Sequence, residues 1–145
     1  RLLDLIASAK NKAVKDTLAQ NNKAYLLRPD TVHYYVIAFD KGKLEINMVK
    51  SRVSDHNTKL YGSTPLSVQN FAMDTATQLL VVREFPDKDQ AYDYFSVVEG
   101  SEEVFKNIRS DHYTQFLISA DNFGRLSEWK DLKGYLKFFE DNYLR

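Results

Sequence analysis

The chain has 145 residues, 43% of them hydrophobic and 28% charged, enough for one domain with a sizeable core. Its 20 basic and 20 acidic residues cancel, which argues against a nucleic-acid partner and against adsorption to anionic lipid, since both need surplus Lys and Arg. Cysteine is absent, so disulfides, thiolate nucleophiles and cysteine-held zinc or iron–sulfur sites are excluded, and no apolar run approaches the roughly 18 residues of a membrane helix.

Residues 2–19 set Leu2, Leu5, Ile6, Ala9, Ala13 and Leu18 at helical spacing. The chain opens at Arg1 inside this pattern, which reads as the tail of something longer. "AQNNKAYLLRPD" reads as a linker, with Pro29 barring a continuing helix. Residues 1–28 are therefore expected to be an N-terminal helix and linker, and 29–145 the domain proper. "HYYVIAFD" (His33–Asp40) is an apolar run of strand length, rich in aromatic and β-branched residues. From Lys43 to Leu60, a stripe of Ile46, Val49, Val53 and Leu60 predicts a helix.

After the turn cluster "YGSTP", "LSVQNFAMD" (Leu66–Asp74) reads as a more polar second strand and "QLLVVREF" (Gln78–Phe85) as an apolar third, paired as a hairpin. Asp87 is the expected N-cap of a helix whose apolar side is Ala91, Tyr94, Phe95 and Val98. Gly100 bends or breaks that helix. Ser101 is expected to cap a continuation carrying Val104, Phe105 and Ile108. "HYTQFLIS" (His112–Ser119) is the fourth strand. "DLKGYLKFFEDNYL" is a closing helix, with Leu132, Leu136 or Tyr135, Phe139 and Tyr143 on one side.

The order is β-α-β, β-α-β, then α, and the interval from Phe39 to Leu66 nearly equals that from Phe85 to Tyr113. Two such units interlock as a ferredoxin-like split βαβ sandwich (βαββαβ), an α+β fold, here with an extra C-terminal helix and an N-terminal helical extension. That topology centres strands one and three, the two most apolar. Tyr35, Ile37 and Phe39 then point one way and Tyr34, Val36 and Ala38 the other; in strand three Leu79, Val81 and Phe85 oppose Leu80 and Val82. The two crossover helices cover one face. The second, equally apolar face needs its own cover: the C-terminal helix first, otherwise the N-terminal helix or a partner.

No catalytic constellation emerges. His33 and His112 open antiparallel neighbouring strands, which puts their rings at opposite ends of the sheet; His56 lies mid-helix near the apolar stripe. Each is expected to be a partly buried, hydrogen-bonded histidine, and no metal-ligand spacing is present. No Gly-x-Ser-x-Gly elbow and no phosphate-cradling glycine loop occurs. Asp87, Lys88 and Asp89 read as a solvated helix start, and Lys41 and Lys43 as solvent-facing loop lysines. Tyr34 or Tyr35 on a central strand would be where an RNA reader stacks a base, but strand three lacks the glycine of that signature and the charge is zero. No cofactor is expected. The side chains nominated for an interaction surface are Tyr34, Lys88 and Tyr92.

Three longer runs, "RPDTVHYYVIAFDKGKLEINMVKSRVSDHN", "VVREFPDKDQAYDYFSVV" and "TQFLISADNF…LKGYLKFFEDNYL", carry phrase-like patterns: P-D-T-x-H-Y-x-V, R-x-F-P-x-K-x-x-A-x-x-Y, I-S-x-x-N-F and Y-L-x-F-F-x-x-N-Y. Over Leu27 to Leu144 the chain resembles the C-terminal domain of tetratricopeptide-repeat lipoproteins of the PorW/SprE type, which serve type IX secretion and gliding motility in Bacteroidota. The resemblance implies a helical-repeat region upstream, residence in the periplasm at the outer membrane through a lipid tether, and scaffolding between envelope proteins. It supplies no active residues, and composition alone leaves a cytoplasmic setting open. "VVREFPDKDQA" is also similar to the strand-to-helix handover of SPOR peptidoglycan-binding modules, although the glycine those strands carry before the phenylalanine is missing. The expectation is a non-enzymatic protein-interaction domain, the alternative a SPOR-like module for peptidoglycan glycan or a small anion.

Overall fold

The computed structural model describes residues 24–62, 64 and 66–144. The helix expected over 2–19 and the first part of the linker lie outside them. The described residues form an α+β domain: β1 (His33–Asp40), α1 (Ile46–Tyr61), β2 (Ser67–Ala72), β3 (Thr77–Phe85), α2 (Lys88–Glu99), β4 (Thr114–Ser119), α3 (Ala120–Trp129) and α4 (Leu132–Tyr143). The strands make one open sheet in the order β2-β3-β1-β4, every neighbouring pair antiparallel. Tyr35 sits opposite Val82 and Val36 opposite Val81, so the two most apolar strands lie side by side in the middle.

The expected alternation holds along β1. Tyr35 meets Tyr94 and Phe95 of α2, with ring centroids 5.2 and 6.2 Å apart. Helix α1 joins the same layer, where His56 and Asn57 reach Tyr94. In α1, Val49 and Val53 are buried, but Leu60 is 55% exposed. The buried side runs on through His56 and Asn57 instead, and Leu60, one residue from the C-terminal end of α1, lies beyond it. Phe85 is also corrected. A register shift between His33 and Tyr35 pairs Tyr35 with Val82 but His33 with Phe85, inserting one extra residue in β3. That residue turns Phe85 to the α2 side, where its ring lies 5.0 Å from Tyr94.

Asp87 caps α2 as expected, its carboxylate accepting from the Gln90 amide at 2.9 Å, and Ala91, Tyr94, Phe95 and Val98 are all buried. The continuation past Gly100 is not helix. The Ser101 hydroxyl accepts from the amides of Glu103 and Val104, but turns follow. The Arg52 guanidinium donates to the carbonyls of Val104 and Lys106, taking acceptors a helix would use itself. His112 ends a 3₁₀ turn over Ser110–His112, and β4 starts at Thr114.

The second sheet face is covered by a helix other than the expected one. Residues 120–129, unassigned in the sequence, form α3. Ser119 caps it, accepting from the Asn122 amide at 3.0 Å. Phe123 lies edge-on to Tyr34 at 5.4 Å and 5.8 Å from Phe71, and Leu126 is fully buried. The C-terminal helix, expected on this face, instead lies along the β4 edge. Phe139 touches Phe95 from the first layer and Phe116 from the second, and the Tyr135 hydroxyl donates to the Leu117 carbonyl at 2.6 Å. Part of the linker also belongs to the domain. Tyr25 is buried against Trp129, Tyr135 and Phe138, and the Asn122 amide bonds both the N–H and the carbonyl of Leu26.

Candidate functional site

The three nominated residues do not converge. Tyr34 lies on the second face under Phe123, with the Arg83 guanidinium 5.0 Å from its ring centroid, and is nearly covered. Lys88 and Tyr92 stand one turn apart on α2, on the layer covering the opposite face. The Lys88 ammonium sits 5.4 Å over the Tyr143 ring, and Tyr92 is 37% exposed, leaning on Phe95. Two cation–aromatic contacts thus hold basic groups of the sheet and of α2 in place; they do not line one cleft.

Two of the three histidines, His33 and His56, are buried. His33 is fully buried between the Thr31 carbonyl, 2.8 Å from Nδ1, and the Tyr143 hydroxyl, 2.7 Å from Nε2. With Nδ1 protonated, both contacts are satisfied by the neutral ring. Burial first, then the nearby Lys88 charge, outweighs the Thr31 bond and the Asp87 charge and lowers its pKa. His56 is also held below the ordinary imidazole value by burial, and its Nε2 has no hydrogen-bond partner. Beside it the Tyr94 hydroxyl donates to Asn57 Oδ1 at 2.5 Å, and burial raises the Tyr94 pKa. At the far end of β1, Asp40, Lys43, Asp111 and His112 line a small hollow, but Arg109 holds the Asp111 carboxylate with two bonds of 3.1 and 2.8 Å. Among the described residues no three His, Asp or Glu side chains cluster as metal ligands.

The feature that stands apart is the β2 edge. Each sheet edge presents a row of backbone N–H and carbonyl groups that pair with another strand unless blocked. At the β4 edge, α4 packs against Phe116 and its Tyr135 hydroxyl takes the Leu117 carbonyl. Among the described residues, β2 is bonded to β3 alone, in unbroken register from Ser67 opposite Arg83 to Ala72 opposite Gln78. Its sequence, "SVQNFA", has no charge and no proline, and only Val68 is partly buried. Phe71, 36% exposed, lies on the second face beside Phe123. On the first face the strand borders a hollow of about 250 Å³ lined by Ser54, Asn57, Thr58, Tyr61, Leu66 and Val68. On the second it borders a groove of Ser67, Gln69, Arg83 and Glu84. There Arg83 bonds both Gln69 Oε1, at 3.3 Å, and the Glu84 carboxylate, at 3.2 Å, so the groove is neutral.

The expected topology, which centres strands one and three, leaves the more polar β2 at an edge. The missed signal is what the strand lacks: no Lys, Glu, Pro or bulge, the devices that normally protect an edge. No helix among the described residues is long and apolar enough to cross a membrane. No family model, no curated protein and no solved structure matches the chain.

Proposed function

We propose that this chain is a non-enzymatic protein-interaction domain of ferredoxin-like architecture that works by strand pairing at β2. The fold assignment is supported by the run β1-α1-β2-β3-α2-β4 and the neighbour order β2-β3-β1-β4. The functional reading is carried by the regular, uncharged β2 edge, unpaired among the described residues, in a domain that packs a helix against its other edge strand. Strand addition draws affinity from main-chain bonds and selectivity from side-chain hollows on either face, and β2 has one on each. The setting we propose is the cell envelope, at the periplasmic side of the outer membrane among secretion or gliding components; it rests on the phrase-level likeness to the PorW/SprE-type lipoproteins. The glycan-binding alternative would use an open sheet face, and α3 lies on the one that the crossover helices leave free.

The test is a photo-crosslinking side chain in place of Gln69 in the full-length protein, in its own cells, alongside sedimentation of the purified protein with peptidoglycan sacculi. Discrete protein adducts from position 69 and no retention on sacculi are expected. Retention on sacculi with no protein adduct overturns the reading.

A further inference from the structure

Resting on the protein-interaction reading of β2 but naming its occupant, we infer that β2 pairs with β2 of a second copy of this chain. The paired strands would run antiparallel about a two-fold axis normal to the sheet, joining two sheets into one. Symmetry restricts the pairing. Residues opposite each other in an antiparallel pair share a face, so the axis must pass through a residue pair and not between residues. Two registers centre on the strand.

In one register Gln69 faces Gln69 of the copy, Ser67 faces Phe71 and Val68 faces Asn70. In the other, Asn70 faces Asn70, Gln69 faces Phe71 and Val68 faces Ala72. Each places an amide opposite its own copy, where the NH₂ of one donates to the carbonyl of the other and the bond is returned. Neither register places like charges in opposition, because Ser67–Ala72 carries none, and the zero formal charge of the whole chain removes long-range repulsion between copies. The regular β2–β3 ladder offers a flat template without a bulge to turn it away. Phe71, 36% exposed and 5.8 Å from the Phe123 ring, gains a cross-strand neighbour from the second copy in both registers.

A contact of one short strand falls below the roughly 1,200 Å² of a stable complex, so the dimer is reversible and weak, with a dissociation constant on the order of 10–100 µM. Sedimentation equilibrium of the purified chain from about 5 to about 500 µM spans that range. The wild type is expected to move from monomer to dimer across it. The discriminating variants are charge pairs at the two candidate centres, Gln69→Lys with Gln69→Glu and Asn70→Lys with Asn70→Glu, at exposed positions whose folding far-UV circular dichroism checks. At the position on the axis, each variant alone is expected to stay monomeric through like-charge opposition, and an equimolar mixture of the Lys and Glu forms to dimerise. A wild type that remains monomeric throughout overturns the inference. So does a wild-type dimer that neither charge pair dissociates. In either case cross-linking from position 69 still decides whether β2 meets a different protein, so the two readings fail separately.

Discussion

Replacing Leu126 by Ala tests the element that the sequence hid. Leu126 is fully buried on α3, the helix that lies on the second sheet face. Truncation removes roughly three methylene equivalents at about 0.8 kcal/mol each, and the cavity left behind adds to that. A loss of about 3 kcal/mol follows, equivalent to a fall in Tm of roughly 6–12 °C for a chain of this size. The assay is urea unfolding followed both by tryptophan fluorescence and by far-UV circular dichroism. Trp129 is the single tryptophan and sits at the end of α3, 5.2 Å from the Tyr25 ring, so its emission reports α3 docking directly. Coincident transitions with a shifted midpoint and an unchanged slope mark a two-state loss from the core. A loss below about 1 kcal/mol, or fluorescence that changes well before the dichroism, would show that α3 is not the cover of that face.

Three further outcomes follow from the packing. Tyr135→Phe strips the donor from the Leu117 carbonyl on the β4 edge and is expected to cost about 1–2 kcal/mol in urea unfolding; no measurable loss would mean the carbonyl finds water instead. Asp87→Ala removes the cap on α2 and is expected to lower stability by about 1 kcal/mol, with Asp87→Ser restoring most of it. Both His33 and His56 are held neutral by burial below the ordinary imidazole pKa. The unfolded chain therefore takes up their protons first as pH falls below about 6.5, and stability declines from there toward the lower folded values. His56→Leu deletes a buried nitrogen that has no partner. It is expected to be neutral or stabilising near neutral pH and to flatten that acid decline, read from urea midpoints at several pH values.

The legible parts of the fold were those where period and chemistry coincide. β1 and β3 are apolar on both faces and bounded by Gly, Asp or Pro, so their extent and central position followed from the residues. The α2 stripe of Ala91, Tyr94, Phe95 and Val98, with Asp87 before it, announced both its start and its buried side. α3 was hidden for physical reasons. Its N-cap, Ser119, is also the last residue of β4, so no loop precedes it. It opens with Asp121 and Asn122 and holds Gly124 at its centre, a composition that reads as a turn. It ends at Lys130 in the left-handed conformation, where glycine would have flagged a stop. Phe85 was misplaced because a one-residue bulge reverses facing without any mark in the sequence. Tyr34 was nominated as a surface residue although its neighbours on that face, Phe123 and Arg83, come from segments whose position only the tertiary fold determines.

The two edges of the sheet explain why the site itself was not nominated. A search for function by residue type looks for histidines, acids and exposed aromatics, and here those groups are occupied: His33 by Thr31 and Tyr143, Asp111 by Arg109, Lys88 by Tyr143. The chain commits a full helix, α4, to the β4 edge, and part of its preceding segment to holding α3 and α4 through Tyr25 and Leu26. It commits nothing among the described residues to β2. An edge that no described residue covers offers a row of backbone bonding groups, and it is written in the sequence only as six uncharged residues. Placing a lysine there at Gln69 should leave stability within about 0.5 kcal/mol, since the position is exposed. Of this lysine and one at Asn70, the one on the two-fold axis should still remove the self-association, and that separation of stability from association is what distinguishes a binding edge from an incidental one.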